Sequence, residues 1–197
     1  MSELNSLGFN NLWHDKKVED YSNDLKAKDK VIAYLNSFSR ETNYGLYLHG
    51  KNGVGKSYLA NSLCISLIYK KVLCRATTFP DLVQTYVNSW RSEEDREILN
   101  KYLSCRVLLI EEIGKEYNTS RQANENFVNT CLDMVLKHRL QNKFVTLFTS
   151  NVDPTDLKGL YTIDIASMLR EIAVPIQVMG SDYRSTIQLA NKKLLEI

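Results

Sequence analysis

The sequence predicts a three-layer α/β domain built on a five-stranded parallel sheet, and three observations predict it. Short apolar segments alternate along the chain with longer segments of helical periodicity, the pattern of repeated strand–helix–strand crossovers. Arg106 to Glu111 is an unbroken apolar run ending in acid, as suits a strand buried on both faces of a parallel sheet. Between the apolar strand Tyr44 to His49 and the helix that starts at Lys56 lies a glycine-rich turn, placed where such a sheet gathers its ligands.

The elements follow in order. Met1 to Asn23 is rich in Asn, Asp and Lys, with isolated aromatics at Phe9, Trp13 and Tyr21 that are expected to pack on the core. Leu25, Val31, Ile32 and Leu35 lie at helical spacing, so a helix runs from about Asp24 to Ser39. After strand one the helix from Lys56 reaches about Tyr69, and Val72 to Arg75 is expected as strand two. Thr78 and Pro80 form a cap and first turn for a helix through about Trp90, and Ser92 with Asp95 opens another, ending near Leu103. The acid-tipped run is strand three. Gly114 to Arg121 is a polar loop, and Phe127, Val128, Cys131, Leu132, Val135 and Leu136 stripe a long helix over about Gln122 to Leu140. Phe144 to Thr149 is strand four, a turn with a short helix follows around Pro154, and a helix covers about Ile163 to Ile172. Pro175 to Met179 is expected as strand five, with proline first, and a last helix runs from about Asp182 toward Leu195. The chain thus divides into an N-terminal extension and helix, residues 1–43, and an α/β core, residues 44–197.

Composition narrows the class. A chain of 197 residues with 44% apolar content makes one domain with a sizeable core. A net charge of +2 neither demands nor excludes nucleic acid, so any such contact needs a local patch. Lys51, Lys137, His138 and Arg139 are the basic candidates. Cys64, Cys74, Cys105 and Cys131 lack zinc spacing and read as small buried hydrophobes, which fits a reducing cytoplasmic setting. The polar N-terminus predicts no leader, and no run approaches a membrane span. Tyr86 and Trp90, at i and i+4, read as core packing.

Gly50, Gly55, Lys56 and Ser57 fit the G-x-x-x-x-G-K-[ST] phosphate loop, with strand and helix on either side as that motif requires. Its glycines leave backbone N–H groups bare to ring a phosphate, and the helix dipole points its positive end at the same anion. Asn52, Gly53, Val54 and Tyr58 complete the expected nucleotide cradle. Lys56 brings a point charge toward the β- and γ-phosphates, and the Ser57 hydroxyl can ligate Mg²⁺. Val107-Leu-Leu-Ile-Glu-Glu-Ile-Gly114 is the natural partner, delivering acid to the same sheet edge. Period-2 alternation would send Glu111 and Glu112 to opposite faces: one binds the metal, and the other orients and deprotonates the attacking water. Asn151, closing strand four, can hold that water beside the γ-phosphate, or can simply form the turn before Pro154.

The ordered set LYLHGKNGVGKSYLANSL, VLLIEEIGKE, KHRLQNKFVTLFTSNVDPTDL and SMLREIAVPIQVMGSDYRS resembles the AAA+ ATPases of the bacterial helicase-loader family, the DnaC and DnaI type, with the related IstB transposition helper. The resemblance covers about Tyr44 to Lys192. It implies a P-loop NTPase core of the AAA+/ASCE kind, ATP and Mg²⁺ as ligands, and control of a hexameric replicative DNA helicase, with single-stranded DNA and self-association into an AAA+ oligomer as further partners. By matched position it makes Lys56 and Ser57 Walker A, Glu111 (metal) and Glu112 (base) Walker B, Asn151 sensor 1 and Arg184 sensor 2. The chain departs from the family in three places. Glu111 stands where Asp is usual, and Ser167-Met168-Leu169 carries Met where an arginine finger is expected, leaving Arg170 as the substitute. Such a finger contributes about 10³–10⁵ in rate. Only 43 residues precede strand one, so a helicase-binding domain is expected to be truncated or absent. Three functions stay open: an ATP-dependent helicase loader, a nucleotide-gated binding module with weak turnover (a transposition helper or loader decoy), and a small-molecule kinase. The kinase needs a lid with several arginines, and loop 115–125 offers only Arg121.

Overall fold

Alternating apolar side chains on five short segments feed two cores, one on each face of a sheet. The computed structural model describes residues 3–114 and 125–183. Strands β1 (Gly45–His49), β2 (Cys74–Thr78), β3 (Val107–Ile113), β4 (Val145–Ser150) and β5 (Ala173–Gln177) form one five-stranded parallel sheet in the order β2-β3-β4-β1-β5. The described helices are α1 (Glu3–Ser6), α2 (Leu25–Ser37), α3 (Lys56–Tyr69), α4 (Phe79–Asn88), α5 (Glu93–Ser104), α6 (Glu125–Gln141) and α7 (Ile163–Ile172). Leu46, Leu48, Val107 and Leu109 meet Leu59, Leu63 and Leu67 of α3 on one face, where α2 also packs. Tyr47, Leu108, Ile110 and Phe148 turn the other way, toward Phe79 of α4, Leu132 and Val135 of α6 and Leu169 of α7.

The helices start where capping chemistry places them. The Asp24 carboxylate accepts from the Ala27 N–H at 3.1 Å, Thr78 from Asp81 at 3.2 Å and Ser92 from Asp95 at 3.2 Å. Strand two is shifted from its expected place because Lys71 adopts a left-handed φ of 67°. The Val72 N–H then closes α3 onto the Leu67 carbonyl at 3.0 Å, so Val72 belongs to a helix cap rather than to β2. Strand five starts two residues early, and Pro175 sits within it, paired with Tyr47; a strand at the edge of the sheet tolerates this.

The N-terminal segment is built into the domain. Phe9, Val18 and Tyr21 are buried in the α3-side core, as expected of the aromatics. The Leu7 carbonyl accepts the Ala76 N–H at 2.9 Å, and Gly8 (φ +93°) approaches the Ala76 backbone so closely that a Cβ would lie 2.0 Å from its oxygen. The outer edge of β2 is therefore covered there.

Two expectations are corrected. Arg139 is no nucleic-acid contact: it is fully buried, donating to Thr146 Oγ1 (2.9 Å) and to the carbonyls of Tyr102 (2.7 Å), Cys105 (3.1 Å) and Val145 (2.5 Å). It ties the end of α5 to β4 from its place on α6. Trp90 is not core: it is 57% exposed, edge-on to Tyr86 and against Phe127. Tyr86 is partly buried against the α6-side core, as expected, and only Trp90 of the pair lies on the rim. Lys137 is exposed and paired with Asp133 at 2.8 Å. All four cysteines are free and buried, and burial pushes the Cys64, Cys105 and Cys131 thiols up, which keeps them protonated. Among the described residues, no helix is long and apolar enough to cross a membrane.

Candidate functional site

Strand β1 ends in His49, and the chain then needs backbone angles that only glycine adopts freely. Gly50, Gly53 and Gly55 have φ of 149°, 76° and 102°, and α3 begins at Lys56. The loop is thus a concave run of backbone ending on a helix N-terminus, at the carboxyl edge between β4 and β5. Lys56 Nζ donates to the carbonyls of Gly50 (2.8 Å) and Lys51 (2.7 Å) and to Asn151 Oδ1 (2.7 Å). Lys56 and Asn151, 95 positions apart in the chain, therefore share one spot.

The acidic tip of β3 joins them through a residue that the motif search missed. Asn61 of α3 is buried and donates to the Ser57 carbonyl (2.8 Å) and to Glu111 Oε1 (2.9 Å). It holds the Glu111 carboxylate beside the first turn of the phosphate-loop helix. The sequence did not single it out, because Ser62 and Ser66 put further polar residues on the same helix.

Regular pleating does not continue to Glu112. Ile110 opposes Phe148 but Ile113 opposes Ser150, so Glu111 and Glu112 share a bulge against Thr149 alone. Glu112 takes a left-handed φ of 67°, uncommon for a side-chain-bearing residue. Its N–H donates to Thr149 Oγ1 (3.1 Å), and Ser150 Oγ donates to the Ile113 carbonyl (2.7 Å), so β4 hydroxyls replace the lost ladder bonds. The bulge resets parity: Ile113 joins Ile110 in the α6-side core. The opposite-face expectation for Glu111 and Glu112 therefore fails as an alternation rule, and a bulge aims Glu112 instead.

The remaining candidates separate. Val54 is buried and Asn52 exposed on the loop. The Tyr58 hydroxyl donates to the Lys17 carbonyl at 3.1 Å, and its ring packs on Trp13 and Tyr21. Arg170 is exposed and its Nε donates to Ala166 of its own helix at 3.1 Å. Arg184, Arg121 and the final helix beyond Tyr183 lie outside the described residues.

His49 was assigned no role by the sequence, yet it borders the loop, buried, with Nδ1 3.6 Å from Asp153 Oδ2. Burial holds its imidazole below the ordinary value of 6.5; Asp153 opposes this and Lys56 adds to it. A depressed imidazole binds its proton more readily when unfolded, so its contribution is full above the ordinary value and lost as pH falls below it. Between about pH 7.5 and about pH 5.5 the melting temperature of the wild type should fall more than that of His49→Gln. Parallel losses would remove His49 as the cause.

A phosphate cradle on β1, an acid-tipped β3 two strands away and a polar β4 end between them, in a parallel sheet of this order, define a P-loop NTPase core of the AAA+ kind. The profile of the family described as IstB-like ATP binding protein matches residues 3–158. The chain belongs to that family. It is 30% identical over 167 residues to the replicative helicase loader DnaI of Bacillus subtilis, covering 78% of this chain and 52% of the loader. With the replicative helicase loader DnaC of Escherichia coli it shares 24% identity over 166 residues, 80% of this chain and 64% of that one. The chain thus spans about half the length of the DnaI loader it matches. A solved structure of DnaI superposes with a TM-score of 0.72 at 23% identity, covering 92% of this chain and 99% of that one. A solved structure of the DnaC helicase loader gives 0.74 at 18%, covering 86% and 100%. At those identities the likeness is one of fold.

Proposed function

We propose that this protein binds ATP with Mg²⁺ at the carboxyl edge of the sheet, hydrolyses it slowly to ADP and phosphate, and uses the nucleotide state to load or regulate a hexameric replicative DNA helicase in the cytoplasm. The observation that carries the nucleotide half is the meeting of Lys56, Asn151 and the Asn61-held Glu111 around one glycine cradle. Those groups fit the ligand. Gly50, Gly53 and Gly55 present backbone to phosphate, Ser57 and Glu111 would hold Mg²⁺, and Lys56 would neutralise phosphate charge. The bound Mg²⁺·ATP supplies the electrophilic phosphorus and its leaving group. Glu112 orients and deprotonates water, Asn151 holds that water, and Arg170 and Arg184 act on charge at the γ-phosphate. The helicase half is supported by the named role of the DnaI and DnaC relatives.

A second reading, a nucleotide-gated binding module with weak turnover, is favoured by Met168 and by the bonding of Arg170 to its own helix. The deciding experiment is co-purification with a replicative helicase, with and without ATP, alongside ATP turnover. A nucleotide-dependent complex whose formation raises turnover is expected. Failure to capture any helicase in either state would overturn the loader reading. Capture with no rise in turnover would favour the gated module.

A further inference from the structure

Val54 crowns the phosphate loop, and its carbonyl receives two side chains from the N-terminal segment. Tyr21 Oη donates at 2.6 Å and Asn23 Nδ2 at 3.1 Å. The Tyr21 ring lies where a Cβ on Gly55 would be, 2.5 Å from it. Burial, with Asp24 nearby, pushes the Tyr21 phenol up to about 12, so it remains a donor. The same Asn23 Nδ2 also donates to the Ser181 carbonyl at 2.8 Å, while Asn23 Oδ1 accepts from Ser181 Oγ at 3.3 Å. One amide thus spans the loop and the segment following β5, and its two ends have fixed senses: nitrogen toward two carbonyls, oxygen toward a hydroxyl.

Neighbouring bonds draw the same pieces together. Asp24 Oδ2 accepts the Met179 N–H at 2.8 Å, and the Tyr183 N–H donates to the Gly53 carbonyl at 3.0 Å. Gly180 lets this segment approach, since a Cβ there would lie 2.6 Å from Asn23 Nδ2. A Cβ on Gly53 would lie 1.7 Å from Asp182 Oδ1, so the segment is seated directly on the loop.

We propose that Asn23 is a positioning residue for the nucleotide site, its amide coupling the phosphate loop at Val54 to the 180–183 segment at Ser181. The proposal rests on the nucleotide reading above. Loop and segment move as one unit through this bridge, and ordering the loop around phosphate also orders the segment. Linkage then requires the converse: releasing the segment weakens nucleotide binding.

Asn23→Asp tests it with almost no change of shape, because a carboxylate oxygen then faces the Val54 and Ser181 carbonyls in place of a donor. ATP·Mg²⁺ affinity should fall about tenfold, and Asn23→Ala should show the same direction if the carboxylate variant folds poorly. Amide exchange without nucleotide should show faster exchange at Tyr183, with unchanged protection in α3 and β4. In the wild type, nucleotide should slow the Tyr183 amide, and in Asn23→Asp it should not. Tyr21→Phe removes the other bond to Val54 but leaves Ser181 tethered, so it should leave Tyr183 protected. Wild-type affinity in both Asn23 variants, unchanged Tyr183 exchange, or equal release in Tyr21→Phe would each overturn the proposal. If the wild type binds no nucleotide, the nucleotide reading fails, and the proposed coupling is overturned with it, whereas failure in an Asn23 variant of a nucleotide-binding wild type sinks the coupling alone.

Discussion

Lys56→Ala is expected to reduce ATP·Mg²⁺ affinity by about 100-fold or more, because a charge-assisted bond to phosphate disappears from a site that has no other described lysine donating into it. Lys56 is half-buried and bonds the loop's own carbonyls of Gly50 and Lys51, so its loss frees loop atoms and leaves the hydrophobic core intact. The melting temperature should therefore move little while calorimetric heat with ATP and magnesium vanishes. Wild-type affinity in this variant would remove the nucleotide reading.

The largest expected effect on stability lies elsewhere, at Arg139. Arg139→Met should cost about 3–5 kcal/mol in chemical denaturation, because several buried carbonyls lose their donor at about 1–3 kcal/mol each. Its guanidinium satisfies carbonyls at the end of α5 and on β4, and a thioether leaves those buried acceptors unpaired. Burial lowers its pKa, with Cys105 opposing, yet oxygen acceptors on several sides compensate the cation. A loss below about 1 kcal/mol would show that water or repacking replaces it.

The two elements that carry the site were legible because they are local. Strand, glycines, Lys56 and helix lie in one stretch, and α3 begins and ends at the expected residues. The helix Ile163–Ile172 was equally plain from its spacing. What escaped depends on partners distant in sequence. Asn61 and Asn23 look like ordinary polar residues until Glu111, Val54 and Ser181 come beside them. Arg139 follows Lys137 and His138, and its sequence neighbours said surface, whereas Thr146 and Val145 supply a buried oxygen lining. The bulge at Glu111 and Glu112 is invisible to a period-2 rule, because hydroxyls from β4 stabilise it. Strand two was misplaced because Val72 is as apolar in a helix cap as in a strand.

Both flanks of the sheet are blunted. Leu7 of the leading segment occupies part of the β2 flank, and the opposite flank, β5, carries a proline that has no N–H to offer a newcomer. An added strand would meet a covered backbone position on one flank of the described sheet and a missing N–H on the other, so edge-to-edge, fibril-type growth is disfavoured at both.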